Sequence, residues 1–260
     1  MQLPRTRALV PDLELVAETG STNADLIARA SAGPVPDRTV LVTTSQTAGR
    51  GRLGRTWIAP PGATLAISVL LNPDAAAFER IGWMPLLTGL AMQRAVRVLV
   101  PTREVSLKWP NDVLIGSRKV SGILGEIVPS GSGPRAVVLG AGLNLRLTED
   151  ELPVPTATSL TIEGADPGDL VDRALAGYLG ELFGMLDGFA SAGYDPAALL
   201  ERVSAVCSTI GREVTVTRPA GDLHGTATGL DSDGRLVVRT EHGEVPVSAG
   251  DVTHVRPSAG

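Results

Sequence analysis

The chain has 260 residues, of which 43% are hydrophobic and 20% are charged, a composition that excludes disordered and fibrous proteins and allows one large domain with a smaller companion. The formal net charge of −5 argues against nonspecific nucleic-acid binding over the whole surface, although a local basic patch remains compatible with it. The single cysteine, Cys207, excludes an internal disulfide and favours a reducing compartment.

The N-terminal residues lack the apolar segment and small-residue cleavage site of a secretory signal. The longest uncharged run begins at Trp57 and is broken by Pro60, Pro61 and Gly62, so it cannot form one membrane-spanning helix. We therefore expect a cytoplasmic protein without a membrane segment.

Local patterns in the first 150 residues predict one short helix, a set of strands and one long helix. The polar residues Ser21, Thr22 and Asn23 precede apolar residues at helical spacing, which predicts a capped helix that ends by Gly33. Apolar and β-branched runs predict strands at 39–44, 63–71, 105–109, 113–115, 119–128 and 136–147, and a long buried helix at 81–100. The short links between the strands after residue 105 indicate an antiparallel meander.

Gly140 and Gly142 interrupt the predicted strand at 136–147. Glycine inside a strand often marks a place where another group comes close to the backbone. We therefore expect a side chain or a ligand to lie against this strand.

In the last 110 residues, the sequence pattern changes near residue 208 from helical to strand-like. Two further helices are predicted at 170–189 and 196–206, and short strands at 214–217, 225–229, 236–238 and 245–247. We expect a catalytic domain at 1–208 and a small β-barrel at 209–260. The fold class is α+β, with a mixed or antiparallel sheet backed by helices.

The sequence GRGRLGRTW, residues 49–57, has three glycines and three arginines in nine residues; it is called the arginine loop below. It matches the pattern GxGxxG, but prolines follow where a dinucleotide site needs a helix, and no Walker-type GxxxxGK[ST] is present. Gly49, Gly51 and Gly54 allow positive φ angles and close backbone approach, while the arginines supply forked donors for phosphate or carboxylate. The alternatives are a solvated basic turn and a nucleic-acid patch, although no aromatic residues alternate with the arginines to stack on bases.

A second motif, KWPND at 108–112, lies at a predicted strand end, where a turn can project Lys108, Asn111 and Asp112. Asp112 can hold Mg²⁺, which takes one or two carboxylates and completes its shell with phosphate oxygens and water. The alternatives are a plain β-turn at this motif and a solvated surface lysine at Lys119.

Five segments together resemble the biotin protein ligases in order and spacing, and the resemblance runs from about residue 14 to the C-terminal barrel. They are Ser21-Thr22-Asn23, Gln46 with the arginine loop, KWPND, Lys119 with Gly122-Ile123-Leu124, and Gly140-Ala141-Gly142-Leu143-Asn144. The resemblance implies a class II synthetase-like core followed by a small SH3-like barrel. It also implies a reaction in which biotin and MgATP give biotinyl-5′-AMP and a lysine of an acceptor protein then takes the biotin.

The resemblance implies roles for twelve residues, which fall into two groups. The biotin-binding residues are Ser21, Thr22, Asn23, Gln46, Arg50, Gly51, Arg52 and Lys119, of which Arg50, Arg52 and Lys119 are catalytic. The nucleotide-binding residues are Trp57, Asn111, Asp112 and Asn144, with Asp112 as the metal ligand. Closure of the arginine loop over the adenylate is expected to exclude water.

The implied partner is the biotin carboxyl carrier domain of acetyl-CoA or related carboxylases, and the implied assembly is a monomer or weak homodimer. Only 20 residues precede Ser21, too few for the helix-turn-helix domain of family members that also repress transcription, so specific DNA binding is not expected. Two other hypotheses stay open: a lipoate protein ligase with the same adenylate chemistry, and a catalytically silent binding or scaffold protein of this fold.

Overall fold

The computed structural model describes residues 2–128, 136–218, 221–248 and 250–255. Its helices are α1 (Pro4–Leu9), α2 (Thr22–Ala32), α3 (Ala75–Glu79), α4 (Met84–Leu99), α5 (Leu170–Ser191) and α6 (Ala197–Ser204). Its strands up to residue 144 are β1 (Glu14–Leu15), β2 (Thr39–Thr43), β3 (Gly49–Arg50), β4 (Thr56–Trp57), β5 (Thr64–Leu71), β6 (Val105–Lys108), β7 (Asp112–Ile115), β8 (Arg118–Ile127) and β9 (Val137–Asn144). The remaining strands are β10 (Glu213–Thr217), β11 (Leu223–Leu230), β12 (Leu236–Thr240), β13 (Gly243–Val247) and β14 (Asp251–His254).

A seven-stranded mixed sheet forms the centre of the molecule, in the order β1-β2-β5-β9-β8-β7-β6. Among the described strands of this sheet, only the β1–β2 pair is parallel, and the strands from β6 to β9 form the predicted antiparallel meander. The strands β10 to β14 form a second, antiparallel sheet of five strands. These features confirm the predicted α+β class.

Helices cover both faces of the large sheet. Alternate residues of β2 and β5 point to opposite faces, and one set packs with α4 and α5 in the main core. The other set, including Leu41 and Leu70, packs against Leu26 of α2 in a smaller cluster. Helix α2 therefore lies on the face of the sheet opposite α4 and α5. This position brings the N-terminal end of α2 to the strand segments that carry Gly140 and Gly142.

Local signals account for the helix ends. The Ser21 side chain accepts a hydrogen bond from Ala24 N and caps α2, as predicted. Gly33 follows the last helical residue. Residues 81–83 form a 3₁₀ turn instead of the first turn of α4, because Pro85 fits best near the start of a helix. In the described part of the chain, no helix combines the length and the apolar character needed to cross a bilayer.

Tyr178 on α5 is fully buried, and its hydroxyl has no hydrogen-bond partner among the described residues. Burial raises the pKa of this phenol above its ordinary value. We expect Tyr178→Phe to raise the free energy of unfolding by about 1 kcal/mol, because it removes an unpaired buried polar group. Urea unfolding measures the change.

The matched control is Tyr194→Phe, because the Tyr194 hydroxyl donates a hydrogen bond to Asp74 Oδ2 over 3.3 Å. This variant is expected to gain no stability. A loss of stability in Tyr178→Phe would contradict the prediction.

Candidate active site

A cleft opens where the N-terminal end of α2, the arginine loop and the face of β5, β8 and β9 meet. It collects eleven of the twelve predicted residues, namely Ser21, Thr22, Asn23, Gln46, Arg50, Gly51, Arg52, Trp57, Asn111, Asp112 and Lys119. The twelfth, Asn144, lies two residues beyond Gly142 on β9 and outside this lining. Its side chain is buried and donates a hydrogen bond to Thr158 O over 2.8 Å.

One end of the cleft is an uncharged polar pocket built around the start of α2. Thr22 donates from both its backbone N and its Oγ1 to Gln46 Oε1, over 2.9 and 3.2 Å. Ser68 Oγ on β5 lies 2.7 Å from Thr22 Oγ1 and 2.5 Å from Asn23 Oδ1. Thr22 and Asn23 are buried and Ser68 is fully buried. These fixed amide and hydroxyl groups suit a neutral ligand with its own donors and acceptors.

The floor of the cleft contains the two glycines that interrupt β9. A Cβ atom at Gly140 would lie 2.3 Å from Asn23 Oδ1, and one at Gly142 would lie 2.6 Å from the Trp57 ring. Both side chains rest directly on the backbone of β9. This contact confirms the expectation that other groups approach the strand at these two positions.

The arginine loop folds as a short hairpin in which β3 pairs with β4. Each of its arginines contacts a different element: Arg50 pairs with Glu126 on β8, Arg52 Nη1 donates to Asn111 Oδ1 over 3.3 Å, and Arg55 pairs with Asp251 on β14. Burial lowers the pKa of the Arg52 guanidinium, and the nearby carboxylate of Asp112 partly offsets this shift. The loop therefore brings cations into the cleft on a framework of specific contacts.

The glycines of this loop differ in what they do. Gly54 has a φ of +72°, as expected. Gly51 has a φ of −121°, so it does not use the positive φ that glycine allows, and a Cβ there would meet no described protein atom closer than 3.4 Å. Leu53 instead takes a left-handed φ of +55°, a conformation that nothing in the local sequence indicates.

The KWPND motif joins the cleft to the C-terminal strands. Trp109 is buried, and its Nε1 donates to Gly234 O over 3.1 Å while its backbone N donates to Thr209 Oγ1 over 3.0 Å. On the other side, Asn111 Nδ2 donates to Ile123 O over 2.9 Å. The turn is thus held at both ends, and it presents Asn111 and Asp112 to the cleft.

Lys119 lies between a carboxylate and an aromatic ring. Its Nζ is 2.6 Å from Asp112 Oδ1, within ion-pair distance, and 5.8 Å from the centre of the Trp57 ring. Because Lys119 and Asp112 form an ion pair, an anionic ligand at Lys119 competes with Asp112 for the ammonium group. Asp112 Oδ1 is buried, and within the described residues it accepts no hydrogen bond of normal geometry.

Sequence reasoning missed three residues of the site: Ser68, Glu126 and Asp251. Ser68 and Glu126 lie in predicted strands, where nothing in the alternating pattern distinguishes them from other polar residues. Asp251 belongs to a strand, β14, that was not predicted from the sequence. Each meets its partner from at least 45 residues away in the chain. No local signal marks such contacts.

His254 on β14 supports Thr209, the residue that holds Trp109. Its Nε2 lies 3.1 Å from Thr209 Oγ1, and burial, together with the charges of Lys108 and Arg212, lowers the pKa of the imidazole. Below the ordinary value of about 6.5, the unfolded chain therefore takes up a proton on this histidine before the folded chain does. The neutral imidazole of His254 therefore stabilises the folded protein fully above a pH of about 6.5. This stabilisation is lost as the pH falls toward the pKa that His254 has in the folded protein.

The free energy of unfolding of the wild type is expected to fall between pH 7.5 and pH 5.5, and His254→Gln should reduce this fall. Urea titration at both pH values measures the change. The control is His242→Gln, since the side chain of His242 is 87% exposed. Equal pH dependence in wild type and His254→Gln would contradict the assignment.

The chain is similar to known proteins in both sequence and fold. The Biotin/lipoate A/B protein ligase family model matches residues 17–144, and the Biotin protein ligase C terminal domain model matches residues 209–255. The Biotin--[acetyl-CoA-carboxylase] ligase of Mycobacterium tuberculosis is 41% identical over 94% of this chain and 89% of that protein. The protein of the same name from Paracoccus denitrificans is 31% identical over 92% of this chain and 98% of that protein.

The fold also matches a solved structure, the biotin protein ligase from Aquifex aeolicus in complex with biotin and ATP. The TM-score is 0.75 at 29% sequence identity, over 95% of this chain and 99% of that chain. The similarity thus extends over both sheets.

Proposed function

This chain belongs to the biotin protein ligase family, and we propose that it activates biotin with ATP and transfers it to a lysine of the biotin carboxyl carrier domain of a carboxylase. The observation that carries the proposal is the composition of the cleft. An uncharged polar pocket at the start of α2 opens directly onto the cations Arg50, Arg52 and Lys119. This order of groups fits a ligand with a neutral head and an anionic end that meets a phosphate.

The polar pocket is proposed to bind the ureido head of biotin. Ser21, Thr22, Asn23 and Gln46 offer the amide and hydroxyl groups for it, and Gly51 lies in the loop above. Arg50, Arg52 and Lys119 are proposed to contact the biotin carboxylate and the phosphate that it attacks. Trp57, Asn111, Asp112 and, through its support of β9, Asn144 are assigned to the nucleotide side.

Asp112 is the proposed Mg²⁺ ligand. Among the described residues, no group of three or more His, Cys, Asp and Glu side chains is suited to a metal. A single carboxylate is sufficient for Mg²⁺ only when nucleotide phosphates and water supply the other oxygens, so this donor set fits an ion that enters with ATP. The ion would neutralise phosphate charge there.

In the first step, a carboxylate oxygen of biotin attacks the α-phosphorus of ATP, and the bond to pyrophosphate breaks. Two anions approach each other in this step, so fixed positive charges lower its barrier. In the second step, the neutral amine of the acceptor lysine attacks the carbonyl carbon of the mixed anhydride, AMP leaves, and the nitrogen loses a proton. All three histidines of the chain lie at or beyond residue 224, so a serine–histidine triad plays no part in the proposal.

The organisation of the whole protein follows the same proposal. Residues 1–208 form the biotin- and ATP-binding domain, and residues 209–260 form an SH3-like domain that supports the KWPND turn through Gly234. The acidic net charge of −5 opposes nonspecific binding to nucleic acid, and specific DNA binding is no part of the proposal. A cytoplasmic enzyme is proposed because the single cysteine is free and fits a reducing compartment. The proposed assembly, a monomer or weak homodimer, rests on the family resemblance alone.

The test is incubation with biotin, MgATP and a purified carrier domain, followed by mass measurement of that domain. The expected product carries one biotin on one lysine. A parallel reaction with lipoate separates the two ligase chemistries, and biotin-dependent ATP–pyrophosphate exchange separates an enzyme from a silent scaffold. No exchange and no mass gain would contradict the proposal.

A further inference from the structure

Glu126 on β8 connects the two halves of the cleft. Its Oε2 accepts a hydrogen bond from Asn23 Nδ2 over 2.8 Å, and Arg50 Nη2 donates to both of its oxygens, over 2.8 and 2.9 Å. Asn23 belongs to the polar pocket and Arg50 to the arginine loop. One carboxylate therefore fixes a residue on each side of the expected bond-forming region.

The contact with Asn23 decides which atom that side chain offers to a ligand. Asn23 Nδ2 donates both to Leu124 O, over 3.1 Å, and to Glu126 Oε2. An amide nitrogen has two hydrogens, so these two acceptors use both of them. Asn23 Oδ1 must then face Ser68 and the pocket, where it can accept a hydrogen bond from a ligand.

The contact with Arg50 uses one end of the guanidinium and leaves the other end open. Within the described part of the chain, only Nη2 of this side chain donates to protein. Arginine carries five N–H donors in a planar fork. The donors on Nη1 and Nε are therefore held in a fixed plane and are available to an anion in the cleft.

Stability is a poor explanation for this pair. The side chains of Arg50 and Glu126 are 45% and 25% exposed, and ion pairs at such exposure contribute little to folding. The value of the pair lies in its geometry, because it limits where an otherwise long and flexible arginine can point.

We propose that Glu126 is a positioning residue of the ligase reaction: it orients Asn23 toward the head of biotin and, with the same carboxylate, holds Arg50 over its anionic end. The inference rests on the proposed function, and it assigns Glu126 a role through two other residues. Occupation of the polar pocket and placement of the arginine loop are thereby coupled.

The test combines Glu126→Gln with the matched control Glu149→Gln, which removes a carboxylate that pairs with Arg118 away from the cleft. Titration calorimetry measures the Kd for biotin without ATP, and a filter assay measures the half-life of bound radiolabelled biotinyl-5′-AMP. In Glu126→Gln we expect the Kd to rise and the half-life to shorten, each by about tenfold, as for the loss of a hydrogen bond to a charged group. The melting temperature and the behaviour of Glu149→Gln should match those of wild type.

A double-mutant cycle with Arg50→Ala separates positioning from a general effect. If Glu126 acts on adenylate retention partly through Arg50, then Glu126→Gln shortens the half-life less in the Arg50→Ala background than in the wild-type background. The weaker biotin binding should persist there, because it acts through Asn23.

Three results would overturn the inference: wild-type Kd and half-life in Glu126→Gln, fully additive losses of half-life in the cycle, or a fall in melting temperature that accounts for the losses. Failure of the wild-type chain to bind biotin is a different result. It would remove the proposed function as well.

Discussion

Lys119→Gln is expected to slow biotin-dependent ATP–pyrophosphate exchange by about 10²- to 10³-fold, the usual effect of removing one fixed donor that stabilises developing charge. The side chain is held between Asp112 and Trp57, so its charge is placed before the ligand arrives. Glutamine keeps most of the length of the side chain but loses the charge. The rate constant should fall with little change in the melting temperature.

The control for this prediction is Arg97→Gln, since Arg97 is an exposed cation in the last turn of α4. Its loss is expected to change the exchange rate by less than about fivefold, the range of a surface charge. If Lys119→Gln behaves like this control, Lys119 is a solvated lysine and the catalytic assignment is wrong.

The parts of the site that local sequence encodes were predictable. Ser21 caps α2 because a small polar residue precedes an apolar periodic run. Gly140 and Gly142 mark close approach because glycine inside a strand often does so. The family resemblance added the cationic residues to the list of candidate site residues, and the structure places eleven of the twelve candidates in one cleft. Each of these inferences needs only neighbours in the chain or a known motif.

The parts that the sequence could not give depend on distant partners or on very short elements. Trp109 meets Gly234 across 125 residues, and Arg55 meets Asp251 across 196. Strand β1 has two residues and α1 has six, too few for a hydrophobic period to appear. The helix α1 owes its place to Asp172 on α5, whose Oδ1 accepts hydrogen bonds from Thr6 N over 2.9 Å and Thr6 Oγ1 over 2.7 Å.

Gly140→Ala is expected to weaken biotin binding by about 10- to 100-fold. Overpacking a tightly packed site costs about 1–3 kcal/mol, and here the added methyl group would displace Asn23, a proposed biotin-binding residue. The new Cβ would lie 2.3 Å from Asn23 Oδ1 and 2.8 Å from Asn23 Cγ. Asn23 has no room to yield, since it is buried and bonded to Leu124 O and Glu126. Titration calorimetry measures the affinity.

The control is Gly125→Ala on the neighbouring strand, where the nearest atom to a new Cβ is Pro85 Cγ at 3.4 Å. This variant is expected to bind biotin as wild type does. A second comparison locates the cause: because Asn23→Ala removes the group that clashes, Gly140→Ala should weaken binding no further in that background. An additional loss in the double variant would mean that the alanine disturbs β9 itself, and that the glycine serves the strand instead of the Asn23 contact.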